Sequence, residues 1–314
     1  MHNAADFLRT HDRYLILTHV RPDGDTVGCA AALCLGLRQL GKKAWVYPNP
    51  QFTGRFSPYL DGLVLSQPDA ADTVVSVDIS SEKMLCFGAE SLAGQIRLAV
   101  DHHASHDLPA ELHVVEPQAA ACGEIVYALL RTLGVSITPQ IADALYVAIS
   151  TDTGCFRYSN TSGSTFRVVA DLVDCGADLV GINKLFFDTK TLSRLQLESR
   201  LTKSVELYEN GTVAVCMIPK IWVGELQITE DDFDSISGFT RAIEGVKIGV
   251  MIREIENNVG KISLRTDADY DAAALCERLG GGGHAAAAGA SVEGGVEAAK
   301  QAVLAVLQES GIRI

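Results

Sequence analysis

No two of the eight cysteines in this 314-residue chain are spaced C-x-x-C. They stand at positions 29, 34, 86, 122, 155, 175, 216 and 276, a scatter that suggests neither a zinc knuckle nor a thioredoxin-like motif, and they read as small apolar core residues. No stretch approaches the roughly twenty apolar residues that span a bilayer, and the opening MHNAADFLRTHDRY lacks the basic start and apolar run of a secretory signal. The expectation is a soluble, cytoplasmic protein. Positive charge is also short: 26 Lys and Arg against 39 Asp and Glu leave a formal net charge of −13. Such a chain repels a long phosphate polymer except at a local basic or metal-bearing spot, so any phosphate-bearing partner should be short. There is no internal repeat, and no low-complexity tract apart from one Gly/Ala-rich segment.

What is present is enough apolar material, 47% of residues, for a sizeable core, in a chain long enough for two domains. Tyr14 to Thr18 (YLILT) reads as a strand, and TVGCAAALCLGLRQLG, ending at Gly41, as the helix after it. KAWVY near 45, TVVSVD ending at Asp78 and IRLAVD ending at Asp101 read as further strands, with intervals long enough for crossover helices. The fold class expected is therefore α/β, with a parallel sheet flanked by helices. Helices are expected over 123–133 and 139–150, the second with Thr138 as N-cap and Pro139 as first residue. From about 162 to 200 the pattern is helical and increasingly charged, which suits a connecting element. Beyond it, GTVAVCMI, GVKIGVMIRE and GKISLRT read as strands, and DAAALCERLG and GVEAAKQAVLAVLQE as helices, of a smaller α/β domain.

Five segments carry chemistry. THVRPDGDTVG brings His19, Asp23 and Asp25 to the end of the first strand, where ligands bind in open α/β sheets. In an extended loop the two carboxylates can face the same way and, with the imidazole, hold divalent cations. P-D-G-D is equally good turn chemistry with an Asp capping the next helix, and the segment alone leaves both readings open. Asp78 ends another strand, where on its own a capping role is the ordinary expectation. Asp101-His102-His103 follows a third strand; one imidazole can ligate a metal while its neighbour faces a phosphate and the Asp orients a ring. His106 and His113 read as ordinary surface-loop histidines. STDTGCFRYSNTS places Asp152 at a helix end, with Gly154 as its stop and Arg157, Tyr158 and Asn160 in a polar loop. Agreement among these four segments favours a shared metal site. Finally, GGGGHAAAAGAS (280–291) frees the backbone to approach an anion closely, with His284 as a donor; the alternative is a glycine hinge.

In order, HVRPDGD, VSVD, VDHH and STDTG resemble the four motifs of the DHH phosphoesterase family, and GGGGHAAAAG preceded by KISLRT resembles the signature of the accompanying DHHA1 domain. The resemblance covers about residues 10 to 290. It implies a catalytic metal-binding domain over 1–185, a helical linker over 186–205 and a substrate-binding domain over 206–314, with the active site in the cleft. Carried over by position, one metal falls to His19, Asp23 and Asp78, and a second to Asp25, Asp78, His102 and Asp152, with manganese the usual ion. Asp78, His102 and His103 would then be the catalytic residues. His103 would contact the scissile phosphate, while Arg265, Gly281, Gly282, Gly283 and His284 would bind the substrate's other phosphate or terminal nucleotide and so set its length.

Accessory modules narrow the type. The motifs are not accompanied by membrane helices or by an added nucleic-acid-binding domain, and family II pyrophosphatases lack GGGH. What remains resembles the compact NrnA-like oligoribonucleases, which also dephosphorylate 3′-phosphoadenosine 5′-phosphate. The implied partners are short single-stranded RNA and small nucleotides, with homodimerisation possible by resemblance. A cytosolic phosphodiesterase for linear or cyclic dinucleotides is the alternative enzyme, and a nucleotide-binding regulator the non-enzymatic one.

Overall fold

The structure, a computed structural model, describes residues 1–66 and 72–313. The chain forms two compact units, Met1–Thr189 and Lys190–Ile314. Among the described residues no helix is long and apolar enough to cross a membrane.

The first unit begins α1 (His2–Thr10), β1 (Tyr14–Leu17), α2 (Gly24–Gln39), β2 (Ala44–Val46), α3 (Ser57–Leu60), β3 (Thr73–Val77), β4 (Ile96–Asp101) and β5 (Leu112–Val115). It continues with α4 (Cys122–Leu133), α5 (Pro139–Asp152), α6 (Gly163–Asp174) and α7 (Leu179–Asn183). Its five strands form a wholly parallel sheet in the order β2-β1-β3-β4-β5, in register Ile16–Val75 and Val77–Val100. Every residue of β1 and β3 is buried, as expected of strands covered on both faces. On one face lie α2, α4 and α5 around a core that includes Val27, Leu33, Leu129 and Leu145. α2 is buried nearly all round, which is why its sequence shows no amphipathic stripe.

The other face differs from expectation. The β3 to β4 crossover contains no α-helix, only 3₁₀ turns at Glu82–Met84 and Glu90–Gln95. Leu85, Cys86 and Ala89 from this segment pack directly on Leu15, Leu17 and Ala99, forming a second, smaller core. The edge strand β5, only four residues long and alternating in burial, carries too weak a pattern to stand out in the sequence. α5 starts as its sequence dictates: Pro139 is at its first turn, and Thr138 Oγ1 accepts a hydrogen bond from the Ile141 amide.

The second unit comprises α8 (Leu192–Ser204), β6 (Glu206–Tyr208), β7 (Val213–Ile218), α9 (Lys220–Glu225), β8 (Ile248–Ile255) and β9 (Val259–Thr266). It ends with α10 (Ala272–Glu277), β10 (Gly282–His284), β11 (Ala287–Glu293) and α11 (Gly295–Glu309). Its six-stranded sheet, β10-β11-β9-β8-β7-β6, is antiparallel except for the β7–β8 pair. β9 alternates strictly: Gly260, Ile262, Leu264 and Thr266 are buried, while Lys261, Ser263 and Arg265 are half-exposed on the opposite face. The buried face packs on α10 and α11. Leu197 and Leu201 of α8 cover part of the other face through Cys216, Ile218 and Met251.

The glycine-rich segment is the β10–β11 hairpin, not a hinge. Gly283 has φ +148, and a side chain there would sit 2.6 Å from the Ala287 carbonyl oxygen. Glycine is therefore required for the two strands to pair this closely.

Candidate metal centre

The first, third and fourth strands in chain order, β1, β3 and β4, end side by side, and the C-terminus of α5 reaches the same edge. The loop after β1 carries His19 and Asp23. Asp23 is the N-cap of α2, its Oδ1 accepting from the amides of Asp25 and Thr26 at 3.0 and 3.2 Å. The capping reading of this segment is thus correct, and the ligand geometry is superimposed on it. Asp25 lies in the first turn of α2 rather than in an extended loop, so the two carboxylates do not face the same way. They join separate groups.

One group is His19, Asp23 and Asp78; another is Asp25, His102 and Asp152; a third joins Asp78 to His102 and His103. His19 Nε2 stands 3.4 Å from Asp23 Oδ1 and 3.5 Å from Asp78 Oδ2. His102 Nε2 stands 3.8, 3.6 and 3.5 Å from oxygens of Asp25, Asp78 and Asp152. These separations exceed good hydrogen bonds, which cluster near about 2.9 Å. They match the spacing of donor atoms around a common centre with bonds of about 2.0–2.2 Å.

The donor orientation fits a cation as well. His19 Nδ1 bonds the Val20 carbonyl at 2.8 Å and His102 Nδ1 the Ala119 carbonyl at 3.2 Å. A carbonyl can only accept, so each ring carries a proton on Nδ1, and Nε2, the nitrogen facing the carboxylates, is the one left to ligate a cation on losing its own proton. Asp78 Oδ1 is buried without a hydrogen-bond partner, an orphan that a cation would satisfy. Asp78 also holds φ +58, a strained conformation for a residue with a side chain, and one that concentrates at functional sites.

Electrostatics point the same way. Burial, with the charges of Asp78, Asp152 and Asp23, holds the Asp25 carboxyl well above its usual range. Burial likewise raises Asp78, and pushes Asp152 up to about 7 against the pull of His102. Burial opposes protonation of His19, yet the Asp23 and Asp78 carboxylates outweigh it and hold that imidazole well above its ordinary value. The cluster retains protons because it has more negative charge than its buried setting tolerates.

Supporting contacts come from residues that the motifs do not advertise. Asp25 Oδ2 and Oδ1 accept from the amides of Cys122 and Gly123 at 2.7 and 2.9 Å, and the Cys29 thiol donates to Oδ1 at 3.2 Å. The carboxylate from α2 thereby caps α4, whose own N-cap, Ala121, has no side-chain acceptor. That empty N-cap is the one sequence signal that could have pointed there. Thr26 Oγ1 donates to the Val77 carbonyl, and buried Asn49 donates to Thr18 Oγ1 and the His19 carbonyl, tying the strand ends together. After Asp152 the chain reverses through Gly154, Cys155 and Phe156, all at positive φ, and Asn160 Nδ2 donates to the Ala120 and Asp152 carbonyls.

Asp101 is fully buried, and His103 Nδ1 bonds its Oδ1 at 2.7 Å, the orienting role expected from the motif. That hydrogen bond, outweighing burial, raises the His103 imidazole above its ordinary value. His106 corrects the sequence reading: it is not a surface-loop residue, because its Nδ1 bonds Asp101 Oδ2 at 2.7 Å and its side chain is only 7% exposed. His113 is exposed on β5, as its sequence suggested, with Nε2 bonding the Leu108 carbonyl and its ring edge-on to that of His106.

In the second unit, strand register sets His284, Ala287, Arg265 and Gly249 in one row across four strands. Directly paired residues share a face, so Arg265 and His284 project from the same side with only the methyl of Ala287 between them. Arg265 Nη1 donates to the Leu264 carbonyl. Gly281 and Gly282 lie in or beside β10, and the hairpin's residues 282–284 are exposed.

A sequence model of the DHH family, N-terminal domain, matches residues 13–149, and one of the DHHA1 domain matches residues 210–310. A bifunctional oligoribonuclease and PAP phosphatase NrnA of Thermus thermophilus is 35% identical over 94% of this chain and 89% of its own length. The protein of the same name from Bacillus subtilis is 25% identical over 92% and 93%. Among solved structures, an exopolyphosphatase-related protein of Bacteroides fragilis superimposes with a TM-score of 0.89 at 23% identity, over 98% of this chain and 95% of that one. Exonuclease RecJ bound to manganese superimposes with 0.57 at 16% identity, over 98% and 93%. At these identities the structural likeness concerns the fold.

Proposed function

The chain belongs to the DHH family, with a DHHA1 domain in its second unit, and from that membership we propose that it is a manganese-dependent phosphoesterase that hydrolyses short oligoribonucleotides to mononucleotides and 3′-phosphoadenosine 5′-phosphate to AMP. The observation that supports this most strongly is Asp78, whose Oδ2 faces His19 and whose partnerless buried Oδ1 faces His102, between the groups His19–Asp23–Asp78 and Asp25–His102–Asp152. In this reading His19, Asp23 and Asp78 hold one ion, and Asp25, Asp78, His102 and Asp152 the other. The first unit is then the catalytic domain and the second the substrate-binding domain. When bound, two divalent cations supply Lewis acidity, lowering the pKa of water toward neutrality and offsetting charge on the phosphate oxygens.

The protein's own residues do the rest. His103, its Nδ1 anchored on Asp101, presents its other nitrogen to the scissile phosphate. Cys122, Gly123 and Cys29 keep Asp25 in place, and the Val20 and Ala119 carbonyls keep both ligating imidazoles in the productive tautomer. Arg265, His284 and the backbone of Gly281, Gly282 and Gly283 bind the substrate's other phosphate or terminal nucleotide. The row His284–Ala287–Arg265, with small residues around one guanidinium, suits a phosphate approached side-on.

The test is manganese-dependent turnover of an RNA dinucleotide, a five-nucleotide RNA, a long RNA and 3′-phosphoadenosine 5′-phosphate by the purified protein. Release of mononucleotides from the short RNAs, with little from the long one, is expected. Activity confined to the dinucleotide would instead indicate a dinucleotide phosphodiesterase, and no turnover with any metal would leave a binding protein. In the same assay Arg265→Ala is expected to lower turnover of the five-nucleotide RNA about tenfold or more, the loss of one charge-assisted phosphate contact. A chromogenic phosphodiester should be nearly unaffected; equal losses on both would remove the recognition role.

The centre also predicts a pH dependence of stability. The folded-state pKa of Asp152, about 7, lies above its ordinary value of 3.8, so its contribution is full below pH 3.8 and is lost as pH rises through about 7. Manganese competes with those protons and should reverse the loss. The rise in melting temperature on replacing chelator by manganese is therefore expected to grow from pH 5 to pH 8. With the ion at a hundred times its Kd, the gain is about 2.7 kcal/mol. A manganese increment that is flat or shrinking over that range would contradict the assignment.

A further inference from the structure

The loop after β4 is folded around a single buried carboxylate. Asp101 has no exposed surface, and three donors converge on it: the His102 amide at 2.8 Å and His103 Nδ1 at 2.7 Å on Oδ1, and His106 Nδ1 at 2.7 Å on Oδ2. The backbone and ring of His106 are both held in place. Its amide closes a turn on the His103 carbonyl, the next two amides both donate to the Ser80 carbonyl, and its ring packs edge-on to His113 with centroids 5.3 Å apart. Its Nε2 is buried with no hydrogen-bond partner, so Nδ1, which donates to Asp101, is the ring's one hydrogen-bonded nitrogen.

From this geometry we propose that His106 is a positioning residue: it locks the Asp101 carboxylate from the side opposite His103 and thereby sets the orientation and tautomer of the His103 ring. A carboxylate rotates about a broad, roughly two-fold torsion, so one anchored through a single oxygen holds its partner loosely. Anchoring the second oxygen removes that freedom. The geometry stands by itself, whereas the consequence for turnover rests on the phosphoesterase reading above. If His106 were only a core filler, an aromatic ring of similar size without a donor would replace it at no cost to His103.

Three variants of the full chain separate these possibilities. His106→Phe keeps the ring against His113 and removes the donor; His106→Asn places an amide nitrogen where Nδ1 stands; His106→Ala removes both. In metal-free protein, ¹⁵N spectra of the imidazoles are expected to show His103 as the Nδ1–H tautomer in wild type and His106→Asn, and as a mixture in His106→Phe and His106→Ala. With manganese and a short RNA, kcat is expected to fall about 10- to 100-fold in the Phe and Ala variants with KM little changed, and to recover in His106→Asn. The proposal is overturned if His106→Phe leaves the His103 resonances and kcat as in wild type, or if His106→Asn is no better than His106→Phe. A wild-type protein inactive on every substrate would refute the phosphoesterase reading, while the ¹⁵N comparison would still decide the role of His106.

Discussion

Asp78→Asn is expected to lower kcat/KM on a short RNA by about a thousandfold or more while leaving the fold intact. Asp78 is the one carboxylate common to two of the donor groups, with Oδ2 3.5 Å from His19 Nε2 and Oδ1 3.6 Å from His102 Nε2. On the proposed two-ion reading, removing its charge would weaken the binding of both ions at once. Charge stabilisation by such ions is worth several kcal/mol, and each 1.36 kcal/mol is about tenfold in rate. Asparagine is the informative replacement because, at φ +58, it tolerates the left-handed conformation that alanine resists. Burial makes the Asp78 carboxylate costly without a cation, so in chelator the variant should melt no lower than wild type. Manganese should then add much less stability than it adds to wild type. A variant that turns over within tenfold of wild type, or that gains full stability from manganese, would end the bridging assignment.

The second large effect concerns a residue that touches no substrate. Gly28, one turn after Asp25 in α2, faces α5 so closely that a Cβ would stand 2.2 Å from the Ala144 carbonyl oxygen and 2.9 Å from the Ala148 methyl. Both walls are helix, so neither can swing away as a long side chain would. Alanine gains about 1 kcal/mol in helix propensity over glycine, but overpacking of a tight core costs about 1–3 kcal/mol and more where backbone must move. The clash wins. Gly28→Ala is expected to destabilise by about 3 kcal/mol, a fall of roughly 6–12 °C in melting temperature for a unit of this size. Because α2 carries Asp25 and α5 carries Asp152, spreading the helices should also weaken manganese binding. Gly224→Ala in α9, where a methyl meets nothing within 4 Å, is the control and should be neutral or stabilising. An unchanged melting temperature in Gly28→Ala would show that α2 and α5 are free to part.

How much of the protein was legible in its sequence varies by element. Strands buried on both faces announce themselves as apolar runs, and YLIL, TVVSV and IRLAVD were placed nearly to the residue. So was α5, because Thr138 and Pro139 act locally and independently of the rest of the fold. The interval between β3 and β4 is long enough for a helix yet forms 3₁₀ turns, because its apolar residues cover a sheet face without helical geometry. The Gly/Ala segment was recognised as unusual, but only pairing with β9 shows it to be a hairpin edge beside Arg265.

By itself the sequence determined the buried strands β1, β3 and β4, the helices α2, α4 and α5, the family, and the ends of the elements at which carboxylates and imidazoles gather, since each depends on residue type and short-range spacing. Tertiary structure alone decided which donors meet. Asp23 and Asp25, two residues apart, belong to different groups because a helix begins between them, whereas Asp25 and Asp152, 127 positions apart, share His102 because α2 packs on α5 through Gly28. It also decided that Asp25 caps α4 and that His106 grips Asp101. Side-chain convergence across a hundred residues is fixed by the packing of helices on a sheet, and no local pattern in the chain records it.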